Sequence, residues 1–66
     1  MHIGSVSRIG TRGKIEVQLL NGLIRAQIVT GACNVGDLVE GNMSPGIHTW
    51  VIPPFRTVTV NVSKQG

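Results

Sequence analysis

Few side chains in this sequence of 66 residues could carry out acid–base chemistry: Glu16, Asp37, Glu40, His2 and His48. Asp37 and Glu40 are close enough in sequence to act as a pair of carboxylates, which is an arrangement that general acid–base catalysis uses. They fall on a turn and on the short strand that follows it, where a structural role is the simpler interpretation. A chain this small also has little room for a concave catalytic pocket. The sequence therefore predicts no catalytic residue and a protein that is not an enzyme.

The candidate metal ligands are His2, Cys33 and His48, and their spacing matches none of the paired patterns typical of metal sites. A nucleophilic pair of Cys33 and His48 would need a third group to orient the histidine, and the sequence suggests none. A lone cysteine cannot form an internal disulfide, and free cysteine is among the most buried residue types. We therefore expect no metal, no cofactor and no small-molecule substrate, with Cys33 as a buried thiol.

Four cations, Arg8, Arg12, Lys14 and Arg25, lie on or between the first three predicted strands. If these strands are neighbours, the cations gather on one side, and barrels that bind single-stranded nucleic acid use such a face. The net charge of +3 permits a polyanionic partner without requiring one. Base stacking needs aromatic side chains, however, and the chain has only Trp50 and Phe55. Two interpretations stay open: nucleic-acid contacts, and solvated surface cations.

Trp50 is the largest aromatic side chain and allows two interpretations of equal weight. Tryptophan is enriched among the residues that dominate protein interfaces, so Trp50 is a candidate anchor for a partner. It could equally fill the core, with its indole N–H bonded to a turn.

The composition points to a chain that gains stability by association. Charged residues make up 14% of the chain, against about 25% in an ordinary soluble domain. A chain of this length buries only about 60% of the surface that its unfolded form exposes. Self-association or docking into a larger assembly would add to that burial. The first residues lack the pattern of a signal peptide and no window reaches membrane-spanning length, so we expect a virion or cytoplasmic location and no membrane partner.

The clearest structural signal is a hairpin over residues 14–30. Asn21 and Gly22 favour a two-residue type I′ turn, in which both central residues need positive φ. This turn pairs Leu20 with Leu23, Leu19 with Ile24, Val17 with Ala26 and Ile15 with Ile28. One face of the hairpin is then almost wholly apolar and the other mostly polar, so the alternation supports the same register.

The other predicted strands are short and are separated by turns rich in glycine and proline; they cover residues 3–9, 38–40, 47–52 and 55–62. No segment has the apolar stripe of a helix. The pattern predicts one small all-β domain over residues 1–66, without a helix. We expect a five- to six-stranded antiparallel barrel or sandwich, either OB-like or SH3-like.

Pro53 and Pro54 leave two placements open for residues 53–66. In the first, the diproline turns a corner and the last strand closes its own barrel, since sequential strands usually lie side by side. In the second, it is a stiff spacer, and the segment is an extended C-terminal strand or arm that adds to a neighbour's sheet. The second placement would use an assembly interface of Trp50, Phe55, Val58, Val60 and Val62.

The segment GKIEVQLLNGLIRAQIVTGACNVGDLVEG, residues 13–41, resembles the OB-type barrels of phage and contractile-injection baseplate and hub proteins. In those modules a strand ending in an Asn-Gly or Asp-Gly hairpin is followed by a Val-Gly-Asp turn and a short valine strand. The resemblance covers less than half the chain, and the sequence departs from the pattern after Gly46. It implies a structural role in a virion and carries over no functional residues.

Our principal hypothesis is a non-enzymatic structural module, a subunit of a homo-oligomeric or virion-type phage assembly that acts through strand pairing and apolar anchors. The alternative is a single-stranded nucleic-acid-binding OB-like protein that uses Arg8, Arg12, Lys14 and Arg25.

Overall fold

The computed structural model of this protein describes residues 2–63, except for the side chain of His2. Its strands are β1 (His2–Ile9), β2 (Lys14–Leu19), β3 (Gly22–Thr30), β4 (Leu38–Gly41), β5 (Gly46–Ile52) and β6 (Arg56–Val62). A 3-10 turn at Thr11–Gly13 joins β1 to β2, and residues 2–63 contain no α-helix. The described residues also include no helix with the length and apolar character that a membrane crossing requires.

The strands form a closed barrel in the order β1-β2-β3-β6-β5-β4, and β4 returns to pair with β1. All six pairings are antiparallel. The prediction of a small antiparallel barrel without a helix is confirmed. Closure also explains how a valine-rich chain with little charge avoids a free strand edge, which would otherwise template aggregation.

The β2–β3 hairpin is present, but its predicted register was wrong by two residues. Val17 pairs with Ile24 rather than with Ala26, and Leu19 pairs with Gly22, so that the turn consists of Leu20 and Asn21. Among these residues only Gly22 has a positive φ, of +154°, which excludes a type I′ turn. Because the shift is an even number of residues, the same side chains still face the core.

β6 lies between β3 and β5 of its own chain. Ile52 pairs with Arg56, so residues 53–55 are a three-residue connection between two antiparallel neighbours. Pro53 and Pro54 are joined by a cis peptide bond within that connection. Because β5 and β6 pair directly on either side of this connection, the diproline turns a corner in this structure, and residues 56–62 do not extend away as an arm. Residues 64–66 lie outside the described residues.

The core is built from alternate residues of the strands, as a barrel with one buried face requires. Its buried side chains are Val6, Ile15, Val17, Ile24, Ala26, Cys33, Val39, Met43, Trp50, Ile52, Val58, Val60 and Val62. Leu19 and Ile28 pack against this cluster from partly buried positions. The opposite faces of the same strands form the outer wall of the barrel, where any interaction surface of the closed barrel must lie.

Candidate interaction surfaces

Four of the five residues predicted to form an assembly interface belong to the core. Trp50, Val58, Val60 and Val62 are all less than 4% exposed, because β5 and β6 turn these alternate positions inward. In this structure these four side chains stabilise the barrel of their own chain rather than a contact with a neighbour's sheet. Phe55 differs, because it lies in the 53–55 connection and is 93% exposed.

Trp50 adopts the core-filling arrangement. Its indole Nε1 donates a hydrogen bond of 2.8 Å to the main-chain oxygen of Asn42, in the turn after β4. The Asn42 side chain organises the same turn, since its Oδ1 accepts hydrogen bonds from the main-chain N–H and the hydroxyl of Ser44. The polar end of the largest core side chain is therefore satisfied.

Three of the four predicted nucleic-acid contacts meet at an open cleft of about 460 Å³, which we call the basic cleft. Its lining includes Arg8, Lys14, Glu16, Arg25, Gln27 and Ser63. The strand register explains this grouping, because Arg8 pairs with Glu16 and Glu16 pairs with Arg25. Residues directly opposite each other lie on the same face of a sheet, so the three side chains form a row across β1, β2 and β3.

A β-bulge places Arg8 in that row. The pairing of Val6 with Val17 is followed by that of Arg8 with Glu16, and Ser7 is the extra residue. Without the bulge, Arg8 would share the inward face of Val6, two residues earlier. The extra residue turns Arg8 outward, where it is exposed. The sequence signal is only the weak alternation around Ser7, which does not reveal a bulge.

Arg12 does not line the basic cleft. It lies in the 3-10 turn with a left-handed backbone, at φ +59° and ψ +31°. Its main-chain oxygen accepts a hydrogen bond of 3.0 Å from the Gln27 side-chain amide, which connects this turn to β3. Sequence reasoning missed Gln27 and Ser63 as cleft residues. Gln27 lies two residues from Arg25 on β3 but carries no charge that marks it, and Ser63 comes from a distant part of the chain.

A second surface, which we call the apolar surface, consists of exposed hydrophobic side chains on the outer wall and at one end of the barrel. Ile3 and Val51 flank Glu40 in one cross-strand row, and Leu38 lies on β4 beside it. Ile3 and Leu38 are 59% and 54% exposed. Ile3 also lines a groove of about 700 Å³ with Leu19, Leu20 and Met43, so the wall and the groove are continuous.

Asp37 and Glu40 do not act as a pair. Asp37 Oδ2 accepts a hydrogen bond of 2.7 Å from the main-chain N–H of Asn34, which closes the turn before β4. The same oxygen lies 2.9 Å from Arg56 Nη2 in an ion pair. Glu40 instead lies in the β4 row between Ile3 and Val51. The contacts of Asp37 thus support a structural role in its turn rather than acid–base catalysis.

Ser44 and His48 resemble a catalytic dyad only by proximity. His48 Nε2 lies 2.8 Å from the main-chain oxygen of Ser44, and a nitrogen bonded to a carbonyl must carry the proton. That nitrogen therefore cannot accept a proton from the Ser44 hydroxyl, which donates instead to Asn42 Oδ1 over 2.7 Å. The contact is a structural link between the turn and β5.

Cys33 is buried, as expected, and burial is the main cause that raises the pKa of its thiol. The nearby Asp37 carboxylate raises this pKa further, and Arg56 partly opposes the effect. A raised pKa is the opposite of what an activated thiolate needs. Within the part of the chain that the structure describes, no group of three or more metal-ligating side chains could hold an ion. The His2 side chain of the predicted trio lies outside that part.

Fold and surface together define a class of protein: a small closed six-stranded barrel with a basic cleft and an apolar surface. The chain matches no protein-family model, and comparisons with curated proteins and with solved structures give no match either.

Proposed function

We propose that this protein is a non-enzymatic assembly module, a β-barrel subunit that associates with further copies of itself through the apolar surface. The observation that carries the proposal is the continuity of the outer wall and the apolar groove through Ile3. Large contiguous apolar patches on small soluble domains are typical of interaction sites. Leu20, at the tip of the β2–β3 hairpin, is fully exposed and lines the groove, so the patch extends to the end of the barrel.

Association in this proposal uses side chains rather than strand addition. The barrel is closed and β6 is paired on both sides, so it offers no unpaired edge for a neighbour's strand. Burying an exposed aliphatic side chain at a contact stabilises the contact by roughly 1.5–3 kcal/mol when burial is complete. Ile3, Leu38 and Leu20 would together supply the kind of apolar centre that interfaces need.

The proposal that the protein is not an enzyme is supported by how its reactive side chains are used. The Asp37 carboxylate closes a turn, His48 Nε2 donates to a main-chain oxygen, and the Cys33 thiol is buried. Each of these groups has a structural partner or environment that opposes the role it would need in catalysis.

A virion-type assembly and a virion or cytoplasmic location remain part of the proposal, and they rest on the resemblance of residues 13–41 to phage baseplate and hub barrels. The kinship is proposed at the level of small barrels. The OB barrel has five strands, whereas this one closes with six.

The experiment that tests the proposal is light scattering of the purified protein over a dilution series. We expect a defined oligomer that dissociates on dilution. Ile3→Ser combined with Leu20→Ser should raise the dissociation midpoint at least tenfold, since about 1.4 kcal/mol of lost contact corresponds to a factor of ten. The matched control is Val29→Ser combined with Val35→Ser, which alters two exposed valines outside the apolar surface.

A monomer at every concentration would contradict the proposal. So would an equal shift of the midpoint in the control variant, because that result would reflect general surface hydrophobicity. Circular dichroism of both variants checks that each retains the barrel, which we expect because all four positions are exposed.

A further inference from the structure

The basic cleft brings together two cations, Arg8 and Lys14, that have no partner among residues 2–63. Neither the Arg8 guanidinium nor the Lys14 ammonium makes an ion pair or a side-chain hydrogen bond with any other described residue. Arg25 Nε lies 3.5 Å from Glu16 Oε2, and the Arg25 side chain is 80% exposed. An ion pair this exposed contributes little to stability, so Arg25 can exchange this partner for another anion.

Positive charge is concentrated at the basic cleft, which favours the binding of an anion there. Among the described lining residues, Arg8, Lys14 and Arg25 face one carboxylate, that of Glu16, so these side chains carry a charge of +2 (three cations minus one anion). Of the other two carboxylates, Asp37 is paired with Arg56. Glu40 pairs in register with Ile3, five residues before Arg8 and so about 16 Å away along an extended strand. Arg12 adds a further cation in the adjoining turn.

The chemistry of the cleft side chains suits a phosphate backbone. Guanidinium groups match the geometry of phosphate oxygens, and a lysine ammonium acts beside them as a point charge. A nucleic-acid backbone presents such phosphates at regular short intervals. Glu16 is paired with Arg25 and the Gln27 amide donates to the Arg12 main-chain oxygen, so neither side chain is positioned to select a base. None of the described lining residues is aromatic, so the site offers no stacking platform.

We infer that the basic cleft binds the phosphate backbone of single-stranded nucleic acid with little preference for base sequence, through Arg8, Lys14 and Arg25. This activity is separate from the proposed self-association, because it uses the outer face of the β1–β2–β3 end of the barrel, and the apolar surface shares none of these residues.

The test is fluorescence anisotropy with a fluorescein-labelled oligo(dT) 20-mer, followed by the same measurement with a mixed-sequence 20-mer. We expect similar affinity for both probes. If three phosphates are neutralised, the slope of log affinity against log salt is about −2, so affinity should fall about twentyfold between 50 and 200 mM salt. Arg8→Gln combined with Lys14→Gln should weaken binding at least tenfold and make that slope shallower by about 1.4. Arg25→Gln tests the third contact independently.

The matched control is Arg56→Gln, which makes the same change in charge per residue at the opposite end of β6, about 23 Å from Ser63 along the strand. The affinity of Arg56→Gln for both probes should stay within about twofold of that of the unsubstituted protein. Thermal unfolding checks the fold of each variant, and retention is expected because all these side chains are exposed.

Three outcomes would overturn the inference. The first is no binding of either probe at 50 mM salt. The second is that Arg56→Gln loses as much affinity for each cation removed as the cleft variants do, which would indicate a response to net charge alone. The third is displacement of the probe by poly-glutamate as effectively as by unlabelled oligo(dT), which would assign the cleft to acidic polypeptides. Self-association could fail its own test while this binding persists, so the two results are distinguishable.

Discussion

The indole of Trp50 is anchored to the main chain of Asn42 by a hydrogen bond of 2.8 Å that crosses from β5 to the turn after β4. These two strands share only one register pair, between Glu40 and Val51. The indole therefore provides a second connection at the weakest seam of the barrel, and it does so from a position that is completely buried.

Replacing Trp50 by Phe should destabilise the barrel by about 2–4 kcal/mol, since it leaves the Asn42 oxygen without its donor and opens a cavity. Urea denaturation followed by far-ultraviolet circular dichroism measures the loss. Phe55→Leu is the control, because that side chain is 93% exposed and its replacement should change stability by less than about 0.5 kcal/mol. Equal stabilities of the two variants would show that the indole bond contributes nothing.

Gly41→Ala should disturb the same tryptophan by crowding it. A Cβ at this position would lie 2.5 Å from Trp50 Cδ1, and overpacking of this kind costs about 1–3 kcal/mol. Because the chain has one tryptophan, its indole N–H resonance and near-ultraviolet circular dichroism report the displacement directly. Gly10→Ala is the matched control, since its nearest atom would be 3.8 Å away. An unchanged indole resonance in Gly41→Ala would contradict the prediction.

The geometry of the β2–β3 hairpin leads to opposite predictions for Asn21, in the turn, and Gly22, the first residue of β3. Gly22 has φ of +154°, so Gly22→Ala should cost about 1–3 kcal/mol. Asn21 has no positive φ, so Asn21→Ala should cost less than about 0.5 kcal/mol. Urea denaturation of the two variants compares them. A large cost at Asn21 would instead favour the type I′ register that the sequence predicts.

The buried thiol of Cys33 should react slowly and should make stability depend on pH. Because its pKa is raised in the folded state, folding favours the neutral thiol. The associated stability is complete below the pKa of an exposed cysteine, about 8.5, and is lost as the pH rises through the higher folded value. Comparing urea denaturation of the protein and Cys33→Ala between pH 7 and 10 isolates this contribution.

Iodoacetamide labelling at pH 8 provides an independent measurement of the thiol. The native protein should react much more slowly than the same protein in urea, since both burial and the raised pKa reduce the accessible thiolate. Equal rates in the two conditions, together with parallel stability curves for Cys33→Ala, would contradict the assignment of a buried neutral thiol.

Some features of this protein follow from local sequence alone. Alternation predicts which residues of β2, β3 and β6 face the core, because side chains of a strand point to opposite sides in turn. Short β-branched segments between glycine-rich turns predict a small antiparallel barrel without a helix. The role of Asp37 in closing its turn is also local, since Asn34 lies only three residues away.

Other features depend on contacts between distant residues, and the sequence by itself does not determine them. The hairpin register depends on where Gly22 relieves backbone strain, and both registers present the same apolar face. The diproline itself is compatible both with a corner inside the barrel and with an extended arm. The position of residues 56–62 depends on the strands available on each side, β3 and β5. This pairing places Val58, Val60 and Val62 in the core.

The interaction surfaces also depend partly on local sequence and partly on contacts between distant residues. The sequence identified the cations Arg8, Lys14 and Arg25, because their charge is a property of each residue. Only the tertiary structure placed them in one cleft, through the bulge at Ser7 and the register of three strands. Residue type therefore determined what chemistry was available, and long-range pairing decided which groups meet, because a one-residue bulge turns a side chain from the core to solvent.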